Sequence, residues 1–307
     1  MQALYKESQD LVESQYADST IRQFHREFDL FTRWCNRHAL RSCPPSPLTL
    51  QLYVAFLARS YKASTIRSKL SLISARLKSL GFAPVTSPLI PAVIKGKEIS
   101  DADSQDRPAL AILPHSVSAV SSLLERSLEG RRDLALICLG IAGFFRPGEL
   151  ANIHVEHIVI ARDYSWIRIF LPRSKADRLG KGVWVSIDAV PGSPICAVSR
   201  LLQWLRSAGI SSGPLWRRFS EDGRLINQPI TTDILRLILK QRAAEMGLDS
   251  SLVNGRSLRR GGYTAAAVAG VPKTLAARHG RWSSRAMDRY FDEAGYFESR
   301  TCADFLH

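Results

Sequence analysis

Between Arg256 and Tyr290 the chain reads RSLRRGGYTAAAVAGVPKTLAARHGRWSSRAMDRY, and cationic side chains recur there at a spacing that suits a phosphate ester. The doublet Arg259-Arg260 opens an Ala-rich helix, and a second basic cluster, Arg278-His279-Gly280-Arg281-Trp282, closes the helix that follows. Tyr290 falls on a third short helix, nine residues beyond Arg281. Arginines on rigid helices, with a phenol on the next helix, suit the attack of a tyrosine on a phosphodiester.

Such a reaction needs several partners. The transition state gathers negative charge on non-bridging oxygens, and guanidinium groups answer it because they stay protonated and offer a planar fork. A tyrosine nucleophile conserves the broken bond as a phosphotyrosine, so rejoining needs neither ATP nor a metal. The leaving 5′-oxygen needs a proton donor, and a lysine on a hairpin tip can serve. Arg146, at the end of the apolar run Leu134 to Phe145 in GFFRPGEL, is one clamp, with Glu149 placed to hold its guanidinium. Arg259 is the second clamp, Lys175 the acid and Tyr290 the nucleophile. Lys181 and Arg178 share the tip with Lys175, and Tyr263 and Tyr296 lie near Tyr290, so these remain rivals. Arg260, beside Arg259, points elsewhere and suits a backbone-phosphate or structural contact.

The elements that must hold these groups fall into two domains. In 1–105, apolar residues Ile21, Phe24, Phe28 and Phe31 recur at helical spacing, Pro44-Pro45-Ser46-Pro47 ends that unit, and LTLQLYVAFLARS forms a second helix. A third carries Ile66, Leu70, Ile73, Leu77 and Leu80 on one line and stops at Gly81, its other faces bearing Arg67, Lys69, Arg76 and Lys78. Segment 82–107 lacks sustained periodicity and marks the boundary, with a linker near 100–108 and a bundle of about four helices before it. In 106–307 the spacing predicts helices at 115–128 and 131–144 and a strand at 154–160. A hairpin follows, 165–171 with 183–187 around a tip holding Lys175, then helices at 194–208, 231–246, 257–269, 272–279 and 284–293. This domain is mostly α with one small antiparallel sheet. His154 and His157 would face opposite sides of a strand, so no metal site is expected. Trp166, Trp184 and Trp204 are expected to pack in the core or on the sheet.

The 307 residues carry a formal charge of +14, and residues 21–100 hold thirteen Lys and Arg against three acids. A basic surplus in both domains favours a polyanion gripped from two sides. Five scattered cysteines with no C-x-x-C pair suggest neither disulfides nor zinc and point to a reducing, intracellular compartment. The twelve-residue run at 134–145 is shorter than the ~18–20 residues a bilayer requires, and MQALYKESQD has no apolar signal-peptide core. No membrane association is expected.

The ordered set Arg146-Pro-Gly-Glu149, Lys175 on a hairpin, Arg256-Ser-Leu-Arg259, Gly280-Arg281 and Tyr290 resembles the tyrosine recombinase/integrase family. The strings SLRRGGYTAAA and HGRWSS are especially similar to recombinases of eukaryotic mobile elements of the Crypton and DIRS type. STIRSKLSLISARLKSLG resembles the family's helical core-binding domain, so the likeness covers nearly the whole chain. It implies a mainly α tyrosine recombinase fold, a core-binding bundle ahead of a catalytic domain. It further implies Arg146 and Arg259 as phosphate clamps, Lys175 as general acid and Tyr290 as nucleophile. Double-stranded DNA would be the substrate, with four protomers on two paired sites and a monomer or dimer off DNA. Arg256 stands where the family often has His, and Arg281 where it usually has His or Trp. Arg281 is read as a third phosphate donor with His279 beside it, and Arg67, Lys69, Arg76, Lys78 and Arg260 as DNA contacts. The function expected is DNA cleavage and rejoining for integration, excision or transposition. The alternative is a non-cleaving DNA-binding accessory protein on the same scaffold. The tail after Tyr290 is expected to dock on a neighbouring protomer. The nucleus is the expected compartment in a eukaryote, the cytoplasm otherwise.

Overall fold

A computed structural model of the chain describes residues 18–101, 109–172 and 182–282, together with Leu4 and Glu7. The chain divides into two compact units, Met1–Asp106 and Arg107–His307.

In the first unit, α1 (Asp18–Arg37) buries Phe24 and Phe31 completely. The Ser46 hydroxyl accepts the Thr49 N–H at 3.1 Å, and Pro47 occupies the first turn, which together start α2 (Pro47–Ala58). Helix α3 (Ala63–Ser79) packs Ile66, Ile73 and Leu77 inward, and Gly81 at φ +84° turns the chain just past its end. A fourth helix, α4 (Leu89–Asp101), brings the bundle to the four or so expected, in a segment whose sequence lacks sustained periodicity. It escapes a periodicity search because it fully buries only Ile94 and carries Pro91 and Gly96. Polar contacts hold it instead. The Asp101 carboxylate accepts the Ala63 N–H at 3.3 Å, and Glu98 pairs with Arg67.

The second unit is built around α6 (Leu128–Ala142), started by Ser127, whose hydroxyl accepts the Gly130 N–H at 2.9 Å. Every residue from Arg132 to Ile141 is buried, as an almost uninterrupted apolar helix requires. Around it pack α5 (Pro114–Leu124), α8 (Ala197–Ala208) and α10 (Ser257–Val268). The short α7 (Pro147–Ala151) follows α6, and α9 (Thr232–Glu245) and α11 (Lys273–Gly280) flank α10 in sequence. Strands β1 (Ile158–Ile160), β2 (Trp166–Leu171) and β3 (Val183–Asp188) form an antiparallel meander in which Ile167 faces Ile187 and Ile169 faces Val185. Their inner residues join the core, whereas Trp184 on the outer face is 47% exposed and lies against Phe170.

Two sequence expectations need correction here. Residues 154–157 are not strand: Val155–His157 form a 3-10 turn, and the rings of His154 and His157 lie 5.5 Å apart rather than on opposite faces. A second antiparallel pair, β4 (Arg217–Phe219) with β5 (Leu225–Pro229), adds to the single sheet expected. Its strands are too short and too polar to alternate. Arg132 secures this hairpin by donating to the Arg217 carbonyl at 3.1 Å and covering the Phe219 ring.

The strap that enters the second unit is fastened to the start of α10. Leu110 N–H donates to Leu252 O at 2.9 Å, Ile112 N–H to Ser257 O at 3.1 Å, and Arg260 Nη1 to Ala109 O at 2.7 Å. Gly261 makes the approach possible, since a Cβ there would lie 1.8 Å from the Ile112 carbonyl oxygen. The architecture is mostly helical with small antiparallel sheets.

A charged cluster lies inside this apolar frame. The Asp133 carboxylate, 1% exposed, takes Arg132 Nε at 2.8 Å and Arg242 Nε at 2.8 Å, tying α6 to α9. Asp133→Asn keeps the shape but removes the buried charge that Arg132 and Arg242 share, leaving them only Glu129 and Glu245 at the edge of the cluster, so it is expected to lower stability by roughly 1–3 kcal/mol, read as a fall in the urea midpoint.

Candidate active site

The site is assembled where α6 ends. Gly143 caps the helix, and Phe144 takes a left-handed conformation at φ +47°. Such a φ costs a non-glycine residue roughly 1–3 kcal/mol and persists only where packing enforces it. Here the Phe144 ring meets His279 edge-on at 4.8 Å and also contacts Tyr263 and Trp282. The turn reverses the chain so that Arg146 becomes the N-cap of α7, with Pro147 in its first turn.

Three guanidiniums converge on this turn. Arg259, from the first turn of α10, donates at 2.5 Å to the Phe144 carbonyl and at 2.5 Å to the Gly280 carbonyl. The Trp282 ring covers its plane, 3.7 Å from centroid to guanidinium carbon. Arg281, itself left-handed at φ +59°, caps α11 and extends its side chain into the same turn. It donates to the carbonyls of Gly143, His279 and Phe144 at 3.1, 2.8 and 3.2 Å, and to Glu149 Oε2 at 2.9 Å. Arg146 donates to Glu149 Oε1 at 2.5 Å and to the Arg281 carbonyl at 3.1 Å. Its side chain is 26% exposed, against 9% for Arg281, so Arg146 is the more accessible fork.

Glu149 is the counter-ion. Its Oε2 also accepts the Arg146 backbone N–H at 3.0 Å, closing the first turn of α7. Burial pushes its carboxyl pKa up, but the guanidiniums of Arg281 and Arg146 and that N–H overcome the effect, and the carboxyl titrates below the usual glutamate range. Burial, with Arg146 adding to it, draws the Arg281 pKa down against the pull of Glu149. One carboxylate between Arg146 and Arg281 leaves that pair net positive even before Arg259 is counted, a charge balance that suits an anion.

Of the residues singled out in the sequence, Arg146, Glu149, Arg259, His279 and Arg281 are thus brought together. His279 bonds through Nε2 to the Ala142 carbonyl at 2.7 Å. Arg256, one turn before Arg259, is the exposed N-cap of α10, its N–H donating to Asn254 Oδ1 at 2.9 Å, and Arg260 is bound to the strap. Lys175 and Tyr290 lie outside the described residues, as do Lys181, Arg178, Tyr296 and the tail. Tyr263 is fully buried among Phe144 and Trp282, which removes it as a rival nucleophile. In the first unit, the basic residues of α3 flank its buried line on two sides. Arg67 pairs with Glu98, and Lys69 is held by Glu27 at 2.6 Å over the Tyr61 ring. Among the described residues no group of three or more His, Cys, Asp or Glu could hold a metal, and no helix is long and apolar enough to cross a membrane.

Two contributors were missed in the sequence. The Phe144 carbonyl is shared by Arg259 and Arg281, and no residue-type signal marks a left-handed phenylalanine. Trp282 was visible only as a neighbour of Arg281, although its stacking on Arg259 is the closest cation–ring contact in the site. Because the Glu149 pKa is depressed on folding, its contribution to stability is present above the unfolded value and lost as pH falls through the folded one. Glu149→Gln should therefore be clearly less stable than the parent at pH 7, and the gap should close as pH is lowered below about 4, read from thermal melts across that range.

No protein-family model matches the chain. An integrase/recombinase xerD homolog from Selenomonas ruminantium is 32% identical over 292 residues, covering 94% of this chain and 85% of that relative. Solved structures share the fold at low identity. A lambda integrase dimer (residues 75–356) bound to a COC′ core site is 16% identical with a TM-score of 0.60, covering 95% of each chain. The XerH site-specific recombinase bound to palindromic difH substrate is 13% identical with a TM-score of 0.56, covering 81% of this chain and 69% of that one. Kinship at that identity over nearly the full length, on the same mostly helical fold, means that this chain belongs to the tyrosine recombinase/integrase family.

Proposed function

We propose that the chain cleaves and rejoins DNA strands at specific sites through a 3′-phosphotyrosine intermediate, in the integration, excision or transposition of a mobile element. The observation that carries this reading is the convergence of Arg146 and Arg259 on the Phe144 turn. These residues are 113 positions apart in the chain, yet the Arg281 and Gly280 carbonyls that orient them are adjacent. The Tyr290 phenol releases its proton to water as its oxygen attacks phosphorus, the bond from phosphorus to the 5′-oxygen breaks, and Lys175 gives that oxygen a proton. Arg146 and Arg259 neutralise the non-bridging oxygens. Attack by a 5′-hydroxyl on the phosphotyrosine reverses the sequence, with no ATP or metal in the balance. In this reading 106–307 is the catalytic domain and 1–105 the core-binding domain. Duplex DNA is the partner, as for the DNA-bound lambda integrase and XerH complexes, and a tetramer on paired sites is the working assembly inside the cell. The tie to Crypton and DIRS elements, and with it a nuclear location, rests on the strings SLRRGGYTAAA and HGRWSS.

A non-cleaving DNA-binding protein is the second reading, and one observation favours it: the terminal N–H groups of Arg281 are spent on internal acceptors. Covalent trapping separates the two. On nicked duplexes carrying the element's ends, the parent should give a DNA-linked band on a denaturing gel that vanishes in Tyr290→Phe and in Arg146→Ala. Salt-sensitive binding with no band would sink the cleavage reading.

The phosphate contacts of the first unit are testable as well. Arg67 is half exposed on one flank of α3, and Lys78 is exposed there too, whereas the Lys69 side chain is only 13% exposed. Arg67→Ala and Lys78→Ala should each reduce the salt slope of binding by about 1, as read by fluorescence anisotropy. Lys69→Ala should leave it nearly unchanged.

A further inference from the structure

Arg281 is the most heavily bonded side chain in the site. A guanidinium has five N–H groups. Nη1 donates to Gly143 O and His279 O, and Nη2 to Phe144 O and Glu149 Oε2. The fifth, at Nε, is enclosed with no acceptor. The side chain is nine-tenths buried, and its main chain is held left-handed at the end of α11. A phosphate oxygen could reach this fork only by displacing bonds already made.

Those bonds lead to the two other arginines by three routes. Glu149 receives Arg281 on Oε2 and Arg146 on Oε1, so the carboxylate is gripped from both sides. Phe144 O is shared between Arg281 and Arg259. The Arg281 carbonyl itself accepts from Arg146 Nη2.

We propose that Arg281 is a positioning residue, which fixes the directions of the Arg146 and Arg259 guanidiniums through Glu149 and the Phe144 and Arg281 carbonyls and does not itself contact the reacting phosphate. The idea rests on the reading of Arg146 and Arg259 as phosphate clamps. It departs from the expectation that Arg281 is a third phosphate donor. Lysine cannot replace the residue, because a single ammonium does not span acceptors spread over two turns of chain.

The test is a double-mutant cycle on the rate of covalent complex formation with the nicked duplex. Arg281→Ala and Glu149→Gln should each slow the reaction roughly tenfold or more, and the double variant should be no slower than the worse single one within about twofold. Penalties that multiply would show an independent contact with phosphate and overturn the proposal. A second measurement needs no DNA. In protein labelled with nitrogen-15 at arginine, the slowly exchanging guanidinium N–H signals of Arg146 should disappear in Arg281→Lys while a cooperative melt shows that the variant is folded. Persistence of those signals would equally overturn the proposal, and this arm decides the matter if Arg281→Ala does not fold. If Arg146→Ala forms the covalent complex at the parental rate, the clamp reading fails. The nuclear magnetic resonance arm still decides whether Arg281 positions Arg146.

Discussion

The single carboxylate of Glu149 decides how the site can exist at all. Two guanidiniums within a few ångströms of each other repel, and burial raises the cost because water no longer screens them. Glu149 removes that repulsion between Arg146 and Arg281 and closes the first turn of α7 with the same group. One side chain therefore sets charge balance, helix start and guanidinium direction together. The compensation is incomplete. A fully neutralised cluster would hold its own shape but have no attraction for an anion.

That arrangement needs the ends of α6, α10 and α11 to meet closely. Glycine provides the room. A Cβ at Gly262 would come within 2.3 Å of the Ile141 carbonyl oxygen, and one at Gly280 within 1.7 Å of the Trp282 ring. Bulk at either position would move Arg259 or its stacking partner away from the Phe144 turn. Of the Gly-Gly pair in SLRRGGYTAAA, Gly262 is thus required by the α6–α10 contact and Gly261 by the strap at Ile112.

Much of this was legible before any coordinates. Arg146 was found because a charge directly after twelve apolar residues has to emerge at the edge of a core, and Glu149 because its spacing suits a capping turn. Arg259 was singled out because an arginine doublet opens an Ala-rich helix just ahead of a second basic cluster. The long helices were legible from their spacing, whereas α4 and the β4–β5 hairpin were not. These two depend on tertiary ties, Asp101 to Ala63 and Arg132 to Arg217, that leave no periodic trace in their own residues. The left-handed Phe144 was hidden for a related reason. Its conformation is set by the rings of His279, Tyr263 and Trp282, contributed from more than a hundred positions away.

The strap at Ala109–Ile112 has a mechanical meaning. Its bonds run to Leu252, Ser257 and Arg260, at and just ahead of the turn of helix that presents Arg259. The strap and the start of α10 thus share one set of bonds, so a loosened strap would loosen the footing of the Arg259 guanidinium.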